Sequence, residues 1–510
     1  MAAFILSNII GLIRQVLVAH AFGTGTQMDS FNAAITIPDV LYNLMAGGAL
    51  ASAFMPTFAG LLAKEDQPEN QDEAWKLASA VTNLVSLALA LASVVTAIFA
   101  PWLVRHVLFA LDPTAAPATL SMTTNLLRII LIAPTIFSVS GLVMSILNAH
   151  QKFWLPALAP VFYWLGWIFG LLFFVPRMGI YGLAWGYVLG AFLHLAIQLP
   201  DLLKVTGRKY FPTLGIGNPA VGKVAQLMGP RLLGVAAVQL NFVINTMVAA
   251  SLGEGSLSAI KTAFMLMTMP LYAIAQSIAT AALPTFSAQV ARGEIDEMRS
   301  ALASTLRGIL LLAIPATVGL ILLRVPVVAM LFQRGAFNAT STELTAWALL
   351  WYTAGLVGHS IVEILSRAFY ALHDTKTPVA VGTGAMILNA LFSFIFPGLF
   401  AAAGWLPLGG LALANSLATA LEAIILLWLI RRRLQGLNGA DVLKGTAQFS
   451  GAALGMGLVL WFWIKAMGNL NPWLIGLGGV AAGGLAYAIG VVLLKVPEIQ
   501  SVVGFVKRKL

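Results

Sequence analysis

The chain has 510 residues, of which 59% are hydrophobic and 9% are charged, and its mean hydropathy is +0.90. A water-soluble protein needs a far more highly charged surface, so this composition excludes a soluble protein and places the chain in a lipid bilayer. The net charge is +10 and the chain has no cysteine, which excludes disulfides and thiolate metal sites.

Apolar segments recur along the whole chain. A membrane-spanning helix needs about 20 mostly apolar residues. Stretches of this kind between polar or Gly/Pro-marked breaks predict an all-α polytopic membrane protein with about fourteen transmembrane helices. In chain order they centre near residues 12, 46, 90, 135, 165, 192, 236, 274, 312, 356, 387, 418, 455 and 484. Proline and glycine inside the segments near 46 and 274 predict kinks or local unwinding.

The chain also repeats itself at about half its length. The phrase Ala53-Phe54-Met55-Pro56-Thr57-Phe58 returns 228 positions later as Ala281-Ala282-Leu283-Pro284-Thr285-Phe286, and His150 before Pro156 is matched by His373 before Pro378. This spacing predicts a duplicated bundle of helices. We expect two pseudo-symmetric six-helix lobes, 1–205 and 206–433, followed in 434–510 by two additional transmembrane helices and a basic C-terminal tail.

The basic residues are unevenly divided between the two faces of this layout. Loops on the side of the termini hold 18 Lys and Arg residues, and the opposite loops hold 6. The positive-inside rule therefore predicts an even number of spans with both termini in the cytoplasm. Because topology and anionic lipid account for these cations, we expect no nucleic-acid partner.

No pattern in the sequence is typical of an enzyme or of a metal site. The six histidines are scattered without metal-ligand spacing, and the glycine-rich stretch 215–222 contains a proline and precedes no strand. The outer loops are short and offer few acids for acid–base catalysis. We therefore expect no enzymatic activity, cofactor or metal.

Several phrases, spread over nearly the whole chain, resemble a single family. They include Gly11-Leu12-Ile13-Arg14, Met28-Asp29-Ser30-Phe31, Met228-Gly229-Pro230, Leu331-Phe332-Gln333-Arg334-Gly335 and the stretch from Arg367 to Pro378. In these phrases the chain is similar to the MurJ (MviN) lipid II flippases of the MOP exporter superfamily, as a divergent member. The resemblance implies a MOP/MATE-like fold with two six-helix lobes around a central cavity. It also implies a groove for a lipid tail between the two terminal helices.

The resemblance implies a function as well. Members move lipid II, an undecaprenyl-pyrophosphate-linked muropeptide, from the inner to the outer leaflet of the bacterial cytoplasmic membrane by alternating access during cell-wall biosynthesis. The implied partners are this lipid-linked oligosaccharide, membrane lipids and the cell-wall synthesis machinery. The polar head group cannot cross hydrocarbon unassisted, so we expect cations for the pyrophosphate beside an apolar groove for the tail.

Charged residues inside spans are costly, and they are the first candidates for substrate binding. Arg14, mid-span on the first helix, matches a family arginine that lines the cavity; the alternative is a snorkelling or salt-bridged residue. Asp29 matches a family aspartate, and its alternative role is a helix cap. Arg231 is either a cavity cation or an interfacial anchor. Lys261 is either a substrate-binding residue or a snorkelling one.

Other polar residues in spans have supporting interpretations. Glu363 and Arg367 are spaced i, i+4, and we expect them to pair and to support a lobe near the cytoplasmic gate. Asn245 and Asn389 lie where some family members build a cation site, although Asn245 in place of an acid leaves that site without a charge. The remaining charges are interpreted as structural or interfacial: Arg128, Arg307 and Glu422.

The chain departs from the family where charges that handle the head group are expected. Uncharged residues occupy these positions on three helices: Asn8, Asn43, Gly47, Phe264, Met265 and Thr268. The departures leave alternatives to lipid II transport open. They are a paralogue that flips another polyprenyl-linked glycan, a MATE-type antiporter, a non-transporting partner in cell-wall assembly, and an enzyme. The match from Arg367 to Pro378 argues against the antiporter.

Overall fold

The computed structural model describes residues 2–45, 48–63, 68–468 and 470–498, and every regular element in these ranges is helical. Packing divides the chain into two compact units that meet between residues 257 and 258. The helices up to this point are α1 (Ala2–Phe22), α2 (Thr26–Ala34), α3 (Thr36–Met45), α4 (Gly48–Leu62), α5 (Pro68–Ile98), α6 (Ala100–Leu103), α7 (Pro117–Ile130), α8 (Ala133–Ala149), α9 (Trp154–Phe169), α10 (Val175–Met178), α11 (Ile180–Ala196), α12 (Leu199–Leu203) and α13 (Pro219–Ala250).

The following helices are α14 (Ser256–Leu271), α15 (Ser277–Ala291), α16 (Ile295–Phe332), α17 (Ala339–Ala354), α18 (Leu356–Ala371), α19 (Lys376–Ala402), α20 (Leu408–Arg433), α21 (Gly439–Met467) and α22 (Pro472–Leu493). Short π-helical segments continue three of the helices in the described ranges: Val104–Leu108, Gly170–Phe174 and Tyr272–Gln276.

These helices confirm an all-α polytopic membrane protein. Among the described residues, ten helical stretches are long and apolar enough to cross a bilayer, and two bent pairs, within α13 and in α17–α18, raise the number to twelve. Two shorter apolar helices, Leu6–Phe22 and Ala53–Leu62, lie at the first two predicted spans. The structure is therefore consistent with about fourteen spans. The centre predicted near residue 46 lies outside the described residues.

The local unwinding predicted near residue 274 is present. Pro270 lies near the end of α14, and the chain then forms the π-helical turn Tyr272–Gln276 before α15 begins. A proline removes one i→i−4 hydrogen bond, and its ring crowds the preceding turn of the helix. The regular α-helical pattern is interrupted at this point because the backbone must place its remaining hydrogen bonds differently.

Both copies of the repeated phrase supply a fully buried phenylalanine. Phe58 on α4 and Phe286 on α15 are each 0% exposed, and each belongs to the hydrophobic core of its own unit. Pro56 and Pro284 lie inside the same helices. The burial of such a ring contributes about 1.5–3 kcal/mol. The repeat therefore marks equivalent packing positions in the two units.

The packing boundary lies later in the chain than the boundary of the repeat. α13 packs against α3 and α4, so packing places it in the first unit, whereas the repeat places it at the start of the lobe 206–433. In the second unit, α21 and α22 pack against each other and against α16. The lobes 1–205 and 206–433 and the separate segment 434–510 remain predictions from the repeat.

Candidate substrate-binding site

Glycines on α9 and α11 let these two helices touch through their backbones. A Cβ atom at Gly166 would overlap the backbone of Gly190, and one at Gly170 would overlap the backbone of Gly186. Without side chains between them, the helices approach far more closely than Leu- or Phe-lined helices can. This contact brings the aromatic face of α9 against Tyr187 on α11.

Arg14 lies against two indole rings of α9. Its Cζ atom is 4.6 Å from the ring centroid of Trp164 and 4.5 Å from that of Trp167, which is within the range of cation–π attraction. In the part of the chain that the structure describes, Arg14 has no ion pair, and its buried Nε atom has no hydrogen-bond partner. The side chain is only partly buried overall. The arrangement therefore holds a cation in place without a carboxylate.

Gly11 provides the space for this contact. A Cβ atom at Gly11 would lie 3.3 Å from Nε1 and 3.4 Å from Cε2 of Trp164. Because residues three apart share a helix face, Gly11 and Arg14 meet the same partner. The Gly-x-x-Arg phrase therefore has a direct physical meaning here: the glycine admits the indole ring that the arginine contacts.

Asp39, on α3, lies at the other end of the same aromatic group. Its Oδ1 atom accepts a hydrogen bond of 3.2 Å from the Tyr187 hydroxyl, and the ring of Tyr187 meets that of Tyr163 edge to face at 5.8 Å. Tyr163 in turn contacts both tryptophans that hold Arg14. Asp39 is not among the site residues predicted from the sequence, although a carboxylate in an apolar segment, Ile37-Pro38-Asp39-Val40, is itself a sign of a functional site.

Asp29 makes its described hydrogen bond to a loop of the same unit and not to Arg14. Its Oδ2 atom accepts a hydrogen bond of 2.6 Å from the backbone N–H of Gly255, just before α14. Beside it, Glu254 Oε1 accepts hydrogen bonds from the backbone N–H and the hydroxyl of Thr26, at 3.0 and 2.7 Å. We call these contacts between Thr26, Asp29, Glu254 and Gly255 the α2 clasp. The hydrogen bonds from Thr26 lower the pKa of Glu254.

The other two substrate-binding candidates are less fully described. Arg231 lies on α13, and its side chain is outside the described part of the structure. Lys261 is partly buried in the second turn of α14. Their roles as substrate cations stay predictions.

The predicted pair on α18 is present. Arg367 Nη2 lies 2.7 Å from Glu363 Oε1, and both side chains are about one quarter exposed, at 24% and 29%. Arg367 Cζ is also 6.0 Å from the ring of Tyr370. The pair therefore exists as the spacing indicated, while its support of a gate stays a prediction.

The two asparagines of the expected cation site belong to different units. The Asn245 amide donates to the carbonyl and side-chain oxygens of Asn241, both at 2.8 Å. Asn389 is buried at 4% exposure and accepts from the Ser393 hydroxyl. Within the described ranges, no group of three or more His, Cys, Asp or Glu side chains could hold a metal ion. A cation site at Asn245 and Asn389 stays a prediction.

Two of the positions without the family's charges, Phe264 and Thr268, make ordinary local contacts. Phe264 packs its ring against Tyr352 at 5.3 Å, and the Thr268 hydroxyl donates to the carbonyl of Met265. Asn8 is exposed on α1. Gly47 lies outside the described residues. Two of the three remaining charges have partners in the described structure: Arg128 donates to the carbonyl of Ala97, and Arg307 pairs with Glu498.

Known proteins are similar to this chain over most of its length. The family described as "Lipid II flippase MurJ" matches residues 18–476. The "Lipid II flippase MurJ" of Burkholderia cenocepacia is 33% identical over 90% of this chain and 87% of its own length. The "Probable lipid II flippase MurJ" of Haemophilus influenzae is 30% identical over 92% of both chains.

Solved structures agree with these matches. A structure titled "Lipid II flippase MurJ, inward closed conformation" has a TM-score of 0.82 and 26% identity, and the likeness covers 98% of this chain and 99% of that one. A MATE family multidrug transporter of the MOP superfamily, in an inward-facing conformation, has a TM-score of 0.64 at 15% identity over 85% of this chain. This second likeness concerns the fold alone.

The helical fold and these matches define a multi-pass membrane transporter of the MOP type rather than an enzyme. The chain belongs to the lipid II flippase MurJ family. As a member, it is an inner-membrane protein, and the resemblance seen in the sequence is confirmed.

Proposed function

We propose that this chain moves lipid II, an undecaprenyl-pyrophosphate-linked muropeptide, from the inner to the outer leaflet by alternating access, with both termini in the cytoplasm. The observation that carries the proposal is Arg14: an arginine on an apolar helix, in a flippase family, that no described carboxylate neutralises. A diphosphate is a doubly anionic group whose oxygens accept the N–H donors that such an arginine offers.

The chemistry of the substrate explains why such a cation is needed. The head group would pass through a low-dielectric region, where an unpaired diphosphate is strongly disfavoured. A fixed guanidinium offsets part of that cost through charge and through directional hydrogen bonds. The polyprenyl tail needs no such partner because it stays in lipid. The exposed apolar surfaces of α21 and α22, which include Leu454, Leu458, Leu477 and Leu485, support a tail-binding role for this helix pair.

Complementation tests the proposal. In a strain depleted of its own lipid II flippase, this chain should restore growth and the appearance of lipid II in the outer leaflet, and the Arg14→Gln variant should restore neither. Reconstituted protein should move lipid II across vesicles without changing it covalently. The absence of outward lipid II movement in both assays would contradict the proposal. The same strain can be used to ask whether the chain acts together with the cell-wall synthesis machinery.

A second function is supported by the packing of Phe264. A ring pair with Tyr352 occupies a region where the family uses ionisable residues, so the C-terminal unit offers less charge to a head group. That composition suits a paralogue which flips another polyprenyl-linked glycan. Vesicle assays with lipid II and with an undecaprenyl-linked O-antigen unit would distinguish the two functions by which lipid moves.

A further inference from the structure

We infer that Trp164 and Trp167 are positioning residues for the substrate's diphosphate: they hold the Arg14 guanidinium in place while leaving its charge and its N–H donors for the ligand. This inference rests on the proposed function. Both tryptophans lie on α9 and carry no charge, and no pattern in the sequence marks them as functional residues.

Arg14 is held by aromatic rings and not by a described carboxylate. A carboxylate partner would neutralise the guanidinium and occupy its hydrogen-bond donors through a bidentate contact. An indole face attracts the cation through the ring quadrupole and uses no N–H donor. Arg14 has two such faces, at 4.6 and 4.5 Å, and no ion pair within the described residues. It is fixed in position and still able to bind an anion.

Arg14 also has a hydrogen-bond donor that no described acceptor satisfies. The Nε atom of Arg14 is buried and has no hydrogen-bond partner in the described structure. A buried donor without a hydrogen-bond partner costs free energy, and that cost is removed when an acceptor binds to it. A diphosphate oxygen is a suitable acceptor because it also carries the opposite charge.

The acid of this aromatic group, Asp39, is held by a tyrosine hydroxyl. The carboxylate of Asp39 accepts a hydrogen bond from the Tyr187 hydroxyl, and the rings of Tyr187 and Tyr163 lie between this acid and the indoles. Tyr187 is itself fixed because α11 touches α9 at Gly186 and Gly190. The tyrosines thus hold a carboxylate in the same aromatic group without an ion pair to Arg14.

Packing from other helices sets the orientation of both indole rings. Trp167 is 3% exposed and contacts Phe31 on α2 edge to face at 5.4 Å, so its plane is set by packing from a second helix. Trp164 packs closely against Gly11, where an added Cβ atom would lie 3.3 Å from the ring. Two rings held from different sides leave the guanidinium little freedom to turn away.

Binding of undecaprenyl diphosphate to the purified full-length protein in nanodiscs tests the inference. Trp164→Leu and Trp167→Leu should each weaken this binding about tenfold, since a desolvated cation–π contact has about that effect on an affinity. Trp164→Phe and Trp167→Phe should retain most of it, because a π face remains. The matched control is Trp428→Leu, which removes another Arg–Trp contact, with Arg432 at 3.8 Å on α20, and should leave binding unchanged.

A double-mutant cycle separates positioning from general stability. In the Arg14→Gln background, the leucine substitutions should cause no further loss of undecaprenyl diphosphate binding, whereas a merely structural effect would persist. Thermal unfolding of each variant identifies any that fail to fold, and the phenylalanine variants then decide the outcome. Leucine variants that bind like the wild type, or phenylalanine variants that lose as much as leucine, overturn the inference.

The outcomes also distinguish this inference from the proposed function. If the wild type neither binds undecaprenyl diphosphate nor moves lipid II, both fall. If the wild type does both and Arg14→Gln binds measurably more weakly and moves no lipid II, while the tryptophan variants behave like the wild type, only the positioning role of Trp164 and Trp167 is wrong.

Discussion

The carboxylate of Asp29 and the backbone N–H of Gly255 are 226 positions apart in sequence and 2.6 Å apart in the structure. Together with the two hydrogen bonds from Thr26 to Glu254, this contact fixes the start of α2 to the loop between α13 and α14. Asp29 therefore has a partner in the described structure, and its predicted role in substrate binding has to be tested against this clasp role.

Removal of the Asp29 carboxylate should destabilise the protein. We expect Asp29→Ala to lower the free energy of unfolding by about 1–3 kcal/mol, because it leaves the Gly255 N–H without its charged acceptor. Asp29→Asn keeps an oxygen acceptor and should lose less. Thermal unfolding in detergent measures both. The control is Asp112→Ala, which removes only local contacts to Thr114 in an exposed loop. An equal effect of the two alanine variants would show that the α2 clasp adds nothing to the free energy of unfolding.

The clasp should also depend on pH through Glu254. Its pKa in the folded protein is lowered because Thr26 donates two hydrogen bonds to the carboxylate. A carboxyl whose folded pKa is depressed stabilises the fold above its unfolded pKa, and this stabilisation is lost as the pH falls through the folded value. The difference in thermal stability between wild type and Glu254→Gln should thus be full at neutral pH and shrink below the ordinary Glu value of 4.5. A difference that stays constant down to strongly acidic pH would rule out this linkage.

The sequence was sufficient for the spans because hydropathy and length are local properties. Every predicted centre except the one near residue 46 falls on an apolar helix of the described structure. Arg14 could be chosen for the same reason: a charge in an apolar helix is visible without any knowledge of its neighbours.

The partners of these residues could not be predicted, since they depend on contacts between distant helices. Trp164 and Trp167 lie in an aromatic span whose sequence is equally typical of a lipid-facing helix. Their contact with Arg14 depends on the close approach of α1 at Gly11. The link between Asp29 and Gly255 likewise leaves no local pattern. The contact of Asp39 with the aromatic group depends on Tyr187, which the close approach of α9 and α11 places beside it.

A single added methyl group at Gly11 should impair transport. Gly11→Ala places a Cβ atom 3.3 Å from the Trp164 ring, so the ring must shift by a few tenths of an ångström, and we expect its contact with Arg14 to weaken. Gly60→Ala on α4 is the matched control because nothing lies within 4 Å of its added Cβ, and it should be neutral or stabilising by about 0.5–1 kcal/mol. Lipid II movement into the outer leaflet of vesicles measures the effect. Equal transport by the two variants would contradict the role given to Gly11.

The ion pair on α18 offers a test of its supporting role. Glu363→Gln should lower stability by only about 0.3–0.5 kcal/mol, as expected for a partly exposed i, i+4 pair. If the pair also supports a gate, the charge-reversed double variant Glu363→Arg/Arg367→Glu should recover transport that each single reversal loses. Flipping assays on the two single reversals and the double variant check this. Failure of the double variant to recover transport would assign the function to Arg367 itself rather than to the pair.

Two arginines of the first unit should respond differently to truncation. Arg128 donates a hydrogen bond of 3.1 Å to the backbone carbonyl of Ala97 from an exposed position, so Arg128→Ala removes one hydrogen bond and should be tolerated. Arg14 lies against two indole rings and makes no ion pair within the described residues, so its charge stays available to a diphosphate. Arg14→Ala should therefore abolish complementation of a flippase-depleted strain, and Arg128→Ala should complement fully. Protein levels in the membrane must match for both variants, and equal effects on growth would remove Arg14 from the substrate site.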